Sequence, residues 1–310
     1  MASIDLATPR IDLRGDRRRH RRERMVRGLF FAAALVSIVV SVLIVISLAG
    51  RAIEFLTRIQ PSWLWGTVWA PRSNQFALPA IFVPSLVIVG VAMVVAAPLG
   101  IGAAIYLSEY AHPRARRMLK PTVELLAGLP SIVIAWFALT VITPQVIQRF
   151  VPSANLFNMA AAGLGVGILT IPLVATVSED ALHAVPQTLR EASYGIGARR
   201  RSTSLRVVIP AAVSGIVAAL ILGLSRAIGE TMVVTIAAGG TGNGVLTLDI
   251  FHPGVTATAA MATLATGTDQ VKGAGAAFAS LFFVGLLLFL ITLALNIASE
   301  RFVRRVRQRY

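Results

Sequence analysis

Residues 79–107 read PAIFVPSLVIVGVAMVVAAPLGIGAAIYL, a stretch of 29 residues without a single charge. As an α-helix it would measure about 43 Å at ~1.5 Å per residue, which exceeds the ~30 Å hydrocarbon core of a membrane. The chain has six long apolar stretches, at residues 28–50, 79–107, 125–148, 150–178, 207–248 and 273–299, of which the fifth is interrupted by Arg226 and Glu230. The sequence therefore predicts an all-α membrane protein with six transmembrane helices.

The composition of the 310-residue chain agrees with this class. Hydrophobic residues make up 56% of the chain, and only 14% of the residues are charged, against about 25% in soluble domains. There is no cysteine, and the four histidines lack metal-ligand spacing. No HExxH motif, GxSxG motif or carboxylate–histidine cluster is present. We therefore expect neither an enzyme nor a metal site.

The chain has a net charge of +15, and the positions of its basic residues predict an orientation in the membrane rather than nucleic-acid binding. Of the 29 basic residues, 23 lie on one side of the predicted spans and five on the other, and Arg226 lies within span five. The positive-inside rule then places both termini in the cytoplasm. Residues 1–27 form a basic cytoplasmic segment, and residues 28–310 form one transmembrane domain. Anionic lipid is the expected contact of the N-terminal cluster Arg17, Arg18, Arg19, Arg21 and Arg22.

A group of tryptophans marks the outer segment between spans one and two. Trp63, Trp65 and Trp69 lie there together with two prolines. Tryptophan is enriched at the headgroup level of membranes, so interface anchoring is one interpretation. The other is a surface on which a second protein docks.

Glycines occur in two informative places. Gly163 and Gly167 have small-xxx-small spacing, which allows another helix to approach closely. The run Gly239, Gly240, Gly242 and Gly244 resembles a phosphate cradle only superficially. It lacks the Lys-Ser/Thr ending of a P-loop, and the only lysines in the chain are Lys120 and Lys272. Any nucleotide chemistry must therefore come from a partner.

The loop at about residues 179–210 has helical periodicity. Apolar residues recur every three or four positions at Leu182, Val185, Leu189, Ala192 and Ile196. This pattern predicts two short amphipathic helices that are separated near Pro186, with the second ended by Gly195 and Gly197. Such a helix beneath a membrane could fit the groove of a soluble partner.

Part of this loop resembles the EAA motif of ABC importer permeases, EAA-x3-G-x9-I-x-L-P. The sequence has Glu191-Ala192-Ser193, then Gly197, then VVIP at residues 207–210 with every spacing kept. The resemblance implies the type I ABC importer permease fold and docking on an ATPase subunit. The implied coupling residues are Glu191, Ala192, Gly197, Pro186 and Arg190. It also implies that ATP and Mg²⁺ bind to that partner and that this chain binds no cofactor.

Span five contains two charged residues at helical spacing, Arg226 and Glu230. A charge in the membrane costs at least about 2.5 kcal/mol, so it needs a partner or an aqueous path. In one interpretation the two side chains neutralise each other and stiffen the bundle. In the other, Arg226 faces a translocation path and binds an oxyanion, while Glu230 holds or releases the arginine.

The segment RAIGETM at residues 226–232 is similar to a signature of the phosphate-specific permeases PstC and PstA. Residues 98–110 (PLGIGAAIYLSEY) and 124–133 (ELLAGLPSIV) share this similarity, with features closer to PstC. The implied substrate pathway comprises Arg226, Glu230, Ser225 and Thr231. The implied partners are a PstA-like second permease in a heterodimer, a PstB-like ATPase dimer and a PstS-like phosphate-binding protein. A multi-pass protein of the bacterial inner membrane is expected.

Other functions remain open at this point. The chain could be an ABC permease for another oxyanion, such as sulfate, molybdate or phosphonate, because the EAA loop would be the same. It could instead be a membrane scaffold or sensor for phosphate signalling. A channel or secondary transporter is a third alternative, but the complete EAA spacing has no role in one.

Overall fold

The computed structural model describes residues 17–240, 243–266 and 275–306, with side chains described for residues 21–240, 243–266 and 275–303. Backbone contacts divide the chain into two compact units, Met1–Leu48 and Ala49–Tyr310. Gly242, Lys272 and the side chains of residues 17–19, which the sequence interpretation includes, lie outside the described part.

The described part of the chain is mostly helical. Its α-helices are α1 Arg17–Arg58, α2 Pro79–Ile105, α3 Pro113–Ala127, α4 Ser131–Phe137, α5 Gln148–Phe150, α6 Met159–His183, α7 Gln187–Gly195, α8 Arg200–Thr203, α9 Ile209–Ile228, α10 Met232–Ala237, α11 Ala257–Thr266 and α12 Ala276–Val306. Three π-helical segments interrupt or extend these helices, at Tyr106–Tyr110, Ala138–Ile147 and Ser204–Val208. Short 3₁₀ turns lie at Pro61–Leu64 and Pro71–Ser73.

Six of the described helical segments are long and apolar enough to cross a membrane, as predicted. Spans one to six are Arg21–Arg58, Pro79–Tyr110, Ser131–Phe150, Met159–His183, Arg200–Ile228 and Ala276–Val303. Their order and number agree with the apolar stretches of the sequence, but their ends differ, and spans one and six continue as helices beyond the uncharged residues.

The predicted start of span three, at residue 125, is wrong. Leu125 lies instead near the end of α3, a helix that precedes the span. This helix stops at Ala127 because Gly128 ends it and Pro130 sets the backbone before α4. Span three therefore begins at Ser131, and the basic residues before it lie on a separate amphipathic helix.

The predicted length of span five, to residue 248, is also wrong. The helix α9 ends at Ile228, and its last turn closes when the amide of Gly229 donates to the carbonyls of Ser225 and Arg226. The chain then leaves the helix before α10 begins at Met232. Residues 229–231 thus form a break, and Glu230 lies in this break rather than on the helix that carries Arg226.

Close packing of α2 against α6 forms the centre of the second unit. Gly163 and Gly167 permit this approach, as their spacing predicts. A Cβ atom at Gly163 would lie 2.6 Å from the Cβ of Val91, and one at Gly167 would lie 3.0 Å from the carbonyl oxygen of Ala92. A bulkier residue at either position would separate the two spans.

The connection between spans one and two contributes two strands to a small antiparallel sheet. Its strands β1 Val68–Ala70, β2 Gln75–Phe76 and β3 Gly244–Val245 lie in the order β2-β1-β3. Trp69 pairs with Phe76 in the register and is buried beside its ring, with 6.1 Å between centroids. Neither the anchoring nor the docking interpretation therefore fits Trp69, although Trp63 and Trp65 are exposed.

Candidate functional site

The end of α9 and the break that follows it form the first candidate site, because they hold the two charged residues of the predicted span five. Arg226 lies in the last turn of α9, and its side chain is exposed on this chain. Glu230 lies within the break, where its Oε1 accepts a 3.5 Å hydrogen bond from the amide of Val233. The carbonyl of Glu230 accepts a 2.8 Å hydrogen bond from Thr258, which fixes the backbone at the break.

No ion pair joins Arg226 to Glu230 among the side chains that the structure describes. The reason is the backbone, since helical i,i+4 geometry ends at Gly229 before Glu230 is reached. The interpretation in which the two charges neutralise each other thus lacks the contact that it requires. The side chain of Arg226 is exposed, so its guanidinium is accessible to a ligand or a second chain.

The two hydroxyl residues of the predicted pathway have different surroundings. Ser225 donates a 3.2 Å hydrogen bond to the side-chain oxygen of Asn296 and so ties α9 to α12. Thr231 lines a cavity of about 380 Å³ next to the break. Apart from the break itself, this cavity is formed by residues of α11 and α12: Thr258, Met261, Ala262, Ala265, Leu281 and Leu288. The structure therefore places Arg226 and Thr231 near the same break but gives them different neighbours.

The second candidate site is α7, which carries the EAA-like motif. Pro186 stands immediately before the helix in an extended conformation and is exposed, as are Glu191 and Ala192. The opposite face is turned inward, and Ser193 there lies 2.9 Å from the hydroxyl of Thr203. One face of α7 is thus exposed, and the opposite face packs against the rest of the chain.

A tight turn ends α7 at the glycine of the motif. Gly197 has a φ of +81°, a region that L side chains rarely adopt, and no atom lies within 4 Å of a Cβ built there. Its amide donates to the carbonyl of Tyr194. The backbone conformation, rather than lack of space, therefore requires glycine at this position.

Three sequence-based details of this loop differ in the structure. The first predicted amphipathic helix is the end of α6, which continues through the membrane span to His183. Ile196 was placed on the apolar face but is 87% exposed. Arg190, predicted beside Glu191 as a coupling residue, is buried: its guanidinium donates to the carbonyls of Val185 and Leu182.

Two buried carboxylates at this end of the chain were missed. Glu109 lies in the π-helical turn that ends span two, 2.9 Å from the Nη2 of Arg190. Glu179 lies near the end of α6, and its Oε1 accepts hydrogen bonds of 3.0 and 2.7 Å from Arg116. The sequence does carry a sign of both: each is an acidic residue at the end of an apolar run. It gives no sign of the partners, which are 81 and 63 positions away.

Lys120 completes the cluster around Glu179. Its Nζ lies 3.1 Å from the carboxylate of Glu179 and 3.6 Å from that of Asp180. Partial burial alone would lower the pKa of Lys120, but the hydrogen bond and charge of Glu179, together with Asp180, raise it above its ordinary value. Lys120 therefore stays charged at neutral pH and holds α3 against α6.

With the break and the exposed helix described, comparison with known proteins identifies the family. Residues 96–308 match the model for the binding-protein-dependent transport system inner membrane component. The chain belongs to this family. The match covers spans three to six completely and includes α7, so both candidate sites lie within the family's common region.

Curated relatives cover most of the chain. It is 34% identical to the phosphate transport system permease protein PstC of Mesorhizobium japonicum over 292 residues, 88% of each chain. It is 31% identical to the phosphate transport system permease protein PstA 1 of Mycobacterium tuberculosis, over 94% of this chain and 91% of that one. A probable ABC transporter permease protein, YqgH of Bacillus subtilis, is 34% identical over 72% of this chain and 74% of its own. These relatives are transport subunits rather than enzymes.

Solved structures share the fold at lower identity. A chain of a bacterial ABC transporter that imports the polysaccharide alginate superimposes with a TM-score of 0.63 at 16% identity, over 92% of this chain and 99% of that one. A chain of the MetNI methionine ABC transporter superimposes with a TM-score of 0.52 at 19% identity, over 73% of this chain and 92% of that one. The fold is thus that of a type I ABC importer permease, and the chain is a multi-pass membrane protein.

Proposed function

We propose that this chain is a permease subunit of an ATP-driven phosphate importer, in a PstC-like role beside a PstA-like second permease. The observation that carries the proposal is its similarity to phosphate transport permeases over about nine tenths of its length. The exposed EAA-like helix and the exposed arginine in span five are features that such a subunit needs.

The exposed face of α7 is the proposed docking site for a PstB-like ATPase dimer. Pro186, Glu191 and Ala192 lie on this face, and the turn at Gly197 shapes its end. ATP and Mg²⁺ bind to the ATPase, and no cofactor binds to this chain. An extracytoplasmic PstS-like protein delivers phosphate to the opposite face of the membrane.

The docking site can be tested by reversing one charge. Glu191→Lys is expected to reduce co-purification of the ATPase subunit at least five-fold, because Glu191 is exposed at the centre of the proposed contact. Glu124→Lys makes the same charge reversal on the exposed surface of α3 and should leave co-purification unchanged. Equal recovery of the ATPase with both variants would contradict the proposed site.

The orientation follows from this assignment. The basic segment 1–27, α7 and the C-terminus lie in the cytoplasm, and residues 28–310 form the permease domain in the bacterial inner membrane. The N-terminal arginines contact anionic lipid there. The break at residues 229–231 then lies toward the outer face, near the binding protein.

Arg226 is the proposed phosphate contact in the pathway. Phosphate carries one to two negative charges near neutral pH, and a guanidinium offers a planar fork of donors that matches its oxygens. Glu230, in the break just after α9, adds a negative charge that weakens phosphate binding so that the ion can leave. Ser225 and Thr231 supply nearby hydroxyl groups.

Closure of the ATPase dimer on ATP brings the α7 helices of the two permeases together and opens the pathway outward, and hydrolysis reverses this movement.

The substrate can be tested by uptake and competition. Cells that lack the chromosomal copy but retain the partner subunits should recover labelled-phosphate uptake when this chain is supplied. A hundred-fold excess of unlabelled phosphate should abolish the signal, whereas sulfate, molybdate or phosphonate at the same excess should leave it within two-fold. Competition by one of these anions at least as strong as that by phosphate would overturn the substrate assignment.

A further inference from the structure

The buried ion pair between Glu109 and Arg190 joins α7 to the membrane spans. The Nη2 of Arg190 lies 2.9 Å from the Oε1 of Glu109, and the two side chains are 11% and 4% exposed. Glu109 belongs to the π-helical turn that ends span two, and Arg190 to the middle of α7. The pair therefore connects the helix that carries the EAA-like motif with a helix that crosses the membrane.

Arg190 also attaches α7 to span four. Its Nη1 donates a 2.6 Å hydrogen bond to the carbonyl of Val185, and its Nη2 donates a 2.9 Å bond to the carbonyl of Leu182 at the end of α6. The guanidinium thus has three acceptors, which lie on α6, on the loop between α6 and α7, and on the π-helical turn. A fixed planar fork with this many acceptors holds one orientation.

Glu109 extends the contact to span five. Its Oε2 accepts a 3.5 Å hydrogen bond from Ser204, the first residue of the π-helical segment that leads into α9. Its Oε1 also accepts a bond from Ser108 at 3.2 Å. π-Helical turns often occur at functional sites, and two of them meet at this carboxylate.

We propose that Glu109 and Arg190 are positioning residues that transmit movement of α7 to spans two, four and five. The proposal rests on the proposed function, in which an ATPase moves α7. The outer face of α7 is exposed to the ATPase, and the inner face is held by charge-assisted hydrogen bonds. Such bonds are directional, whereas an apolar contact would let the helix slide over the spans. Arg190 thereby acts inside the chain and does not touch the ATPase.

The Glu179 cluster provides a matched control for this link. Its carboxylate is as buried as that of Glu109, at 1% exposure, and lies at the same end of the chain, while its two cations, Arg116 and Lys120, are 33% and 32% exposed. The contacts described for Glu179 join α3 to α6 and do not include α7. Loss of this cluster removes a buried ion pair without loosening α7.

The decisive readout is the number of phosphate ions imported per ATP hydrolysed. The complete complex, reconstituted in lipid vesicles with the binding protein, should show at least a five-fold lower ratio with Glu109→Gln while ATP hydrolysis continues. Glu179→Gln should keep the ratio within two-fold of the wild type. An unchanged ratio with Glu109→Gln, or an equal fall with Glu179→Gln, would overturn the proposal.

A conservative substitution of the arginine keeps the proposal testable if Glu109→Gln fails to assemble. Arg190→Lys keeps the charge but cannot reach all three acceptors, so it should give a ratio between those of the wild type and Glu109→Gln. A ratio identical to that of the wild type would contradict the need for the guanidinium fork.

A distance measurement separates the link from the substrate assignment. The chain has no cysteine, so Tyr194→Cys on α7 and Val94→Cys on span two, both exposed, accept spin labels selectively. With ATP added to the complex, the spread of label distances should be at least twice as wide with Glu109→Gln as without it. Equal spreads would refute the link even if the chain imports phosphate. A wild-type complex that imports no phosphate would instead refute the proposed function alone.

Discussion

The two ends of span five hold their charged groups in opposite ways. Near the beginning, Ser204 contacts a carboxylate that is buried against Arg190, so both charges of that pair are neutralised within the chain. Near the end, Arg226 is exposed and has no ion pair with Glu230 across the break. The same helix thus connects a region of permanent internal contacts to a region with an available positive charge.

This difference separates two requirements of a transporter. A region that transmits movement must keep its contacts throughout the cycle, and buried charge-assisted hydrogen bonds provide such contacts. A region that binds and releases an anion must keep its cation free of an ion pair within the chain, because an internal partner would compete with the ligand. The arrangement of partners, rather than the presence of arginine, therefore distinguishes the two roles.

The largest predicted effect on stability comes from replacing the arginine of each region with methionine. Arg190→Met should lower the free energy of unfolding by about 3–5 kcal/mol, because it leaves the carboxylate of Glu109 buried without its partner. Arg226→Met should change it by less than about 1 kcal/mol, since an exposed side chain is removed. Denaturant titration of the purified protein in detergent measures both. Equal losses of stability would remove the distinction between the two regions.

A smaller effect is expected in the packed spans that lie between the two regions. Gly163→Ala should cost about 1–3 kcal/mol, because its Cβ would overlap Val91 across the α2–α6 contact. Gly90→Ala is the control on the same pair of helices: no atom lies within 4 Å of its Cβ, so alanine should stabilise the helix slightly. The same titration checks both, and a loss of stability with Gly90→Ala alone would contradict the packing described.

The smallest effect is expected at the turn after α7. Gly197→Ala should cost about 1 kcal/mol, because alanine would have to adopt the left-handed conformation at a φ of +81°. Gly195→Ala, two residues earlier in equally open space, should be neutral or slightly stabilising. Thermal unfolding of the two variants compares them, and equal melting temperatures would show that the conformation of the turn is unimportant.

The sequence predicted the six spans because each is a predominantly apolar stretch long enough to cross a membrane. It also predicted the end of α7 at Gly195 and Gly197, since glycine there is a local feature of the chain. The close approach at Gly163 and Gly167 followed from their spacing. The signal for each of these features lies within a few neighbouring residues, so local patterns are sufficient to predict them, although the spacing of Gly163 and Gly167 does not name α2 as the partner helix.

Features that depend on distant residues were not predicted. The inward direction of Arg190 depends on Glu109, 81 positions earlier, and apolar periodicity gives no information on that pairing. The burial of Trp69 depends on a strand that includes Phe76 and on a third strand at Gly244. The break at Gly229 was missed because the apolar residues resume directly after it in α10.

The exposed arginine at the end of α9 is the central feature of this account, and phosphate uptake tests it most directly. Cells that lack the chromosomal copy would receive the wild type, Arg226→Ala, Arg226→Lys or Arg149→Ala at matched membrane abundance. Arg149 is also exposed, at the end of span three, and controls for the loss of one arginine. We predict that Arg226→Ala reduces uptake at low external phosphate at least ten-fold, that Arg226→Lys retains a part of it, and that Arg149→Ala stays within two-fold of the wild type. Normal uptake with Arg226→Ala would contradict the account.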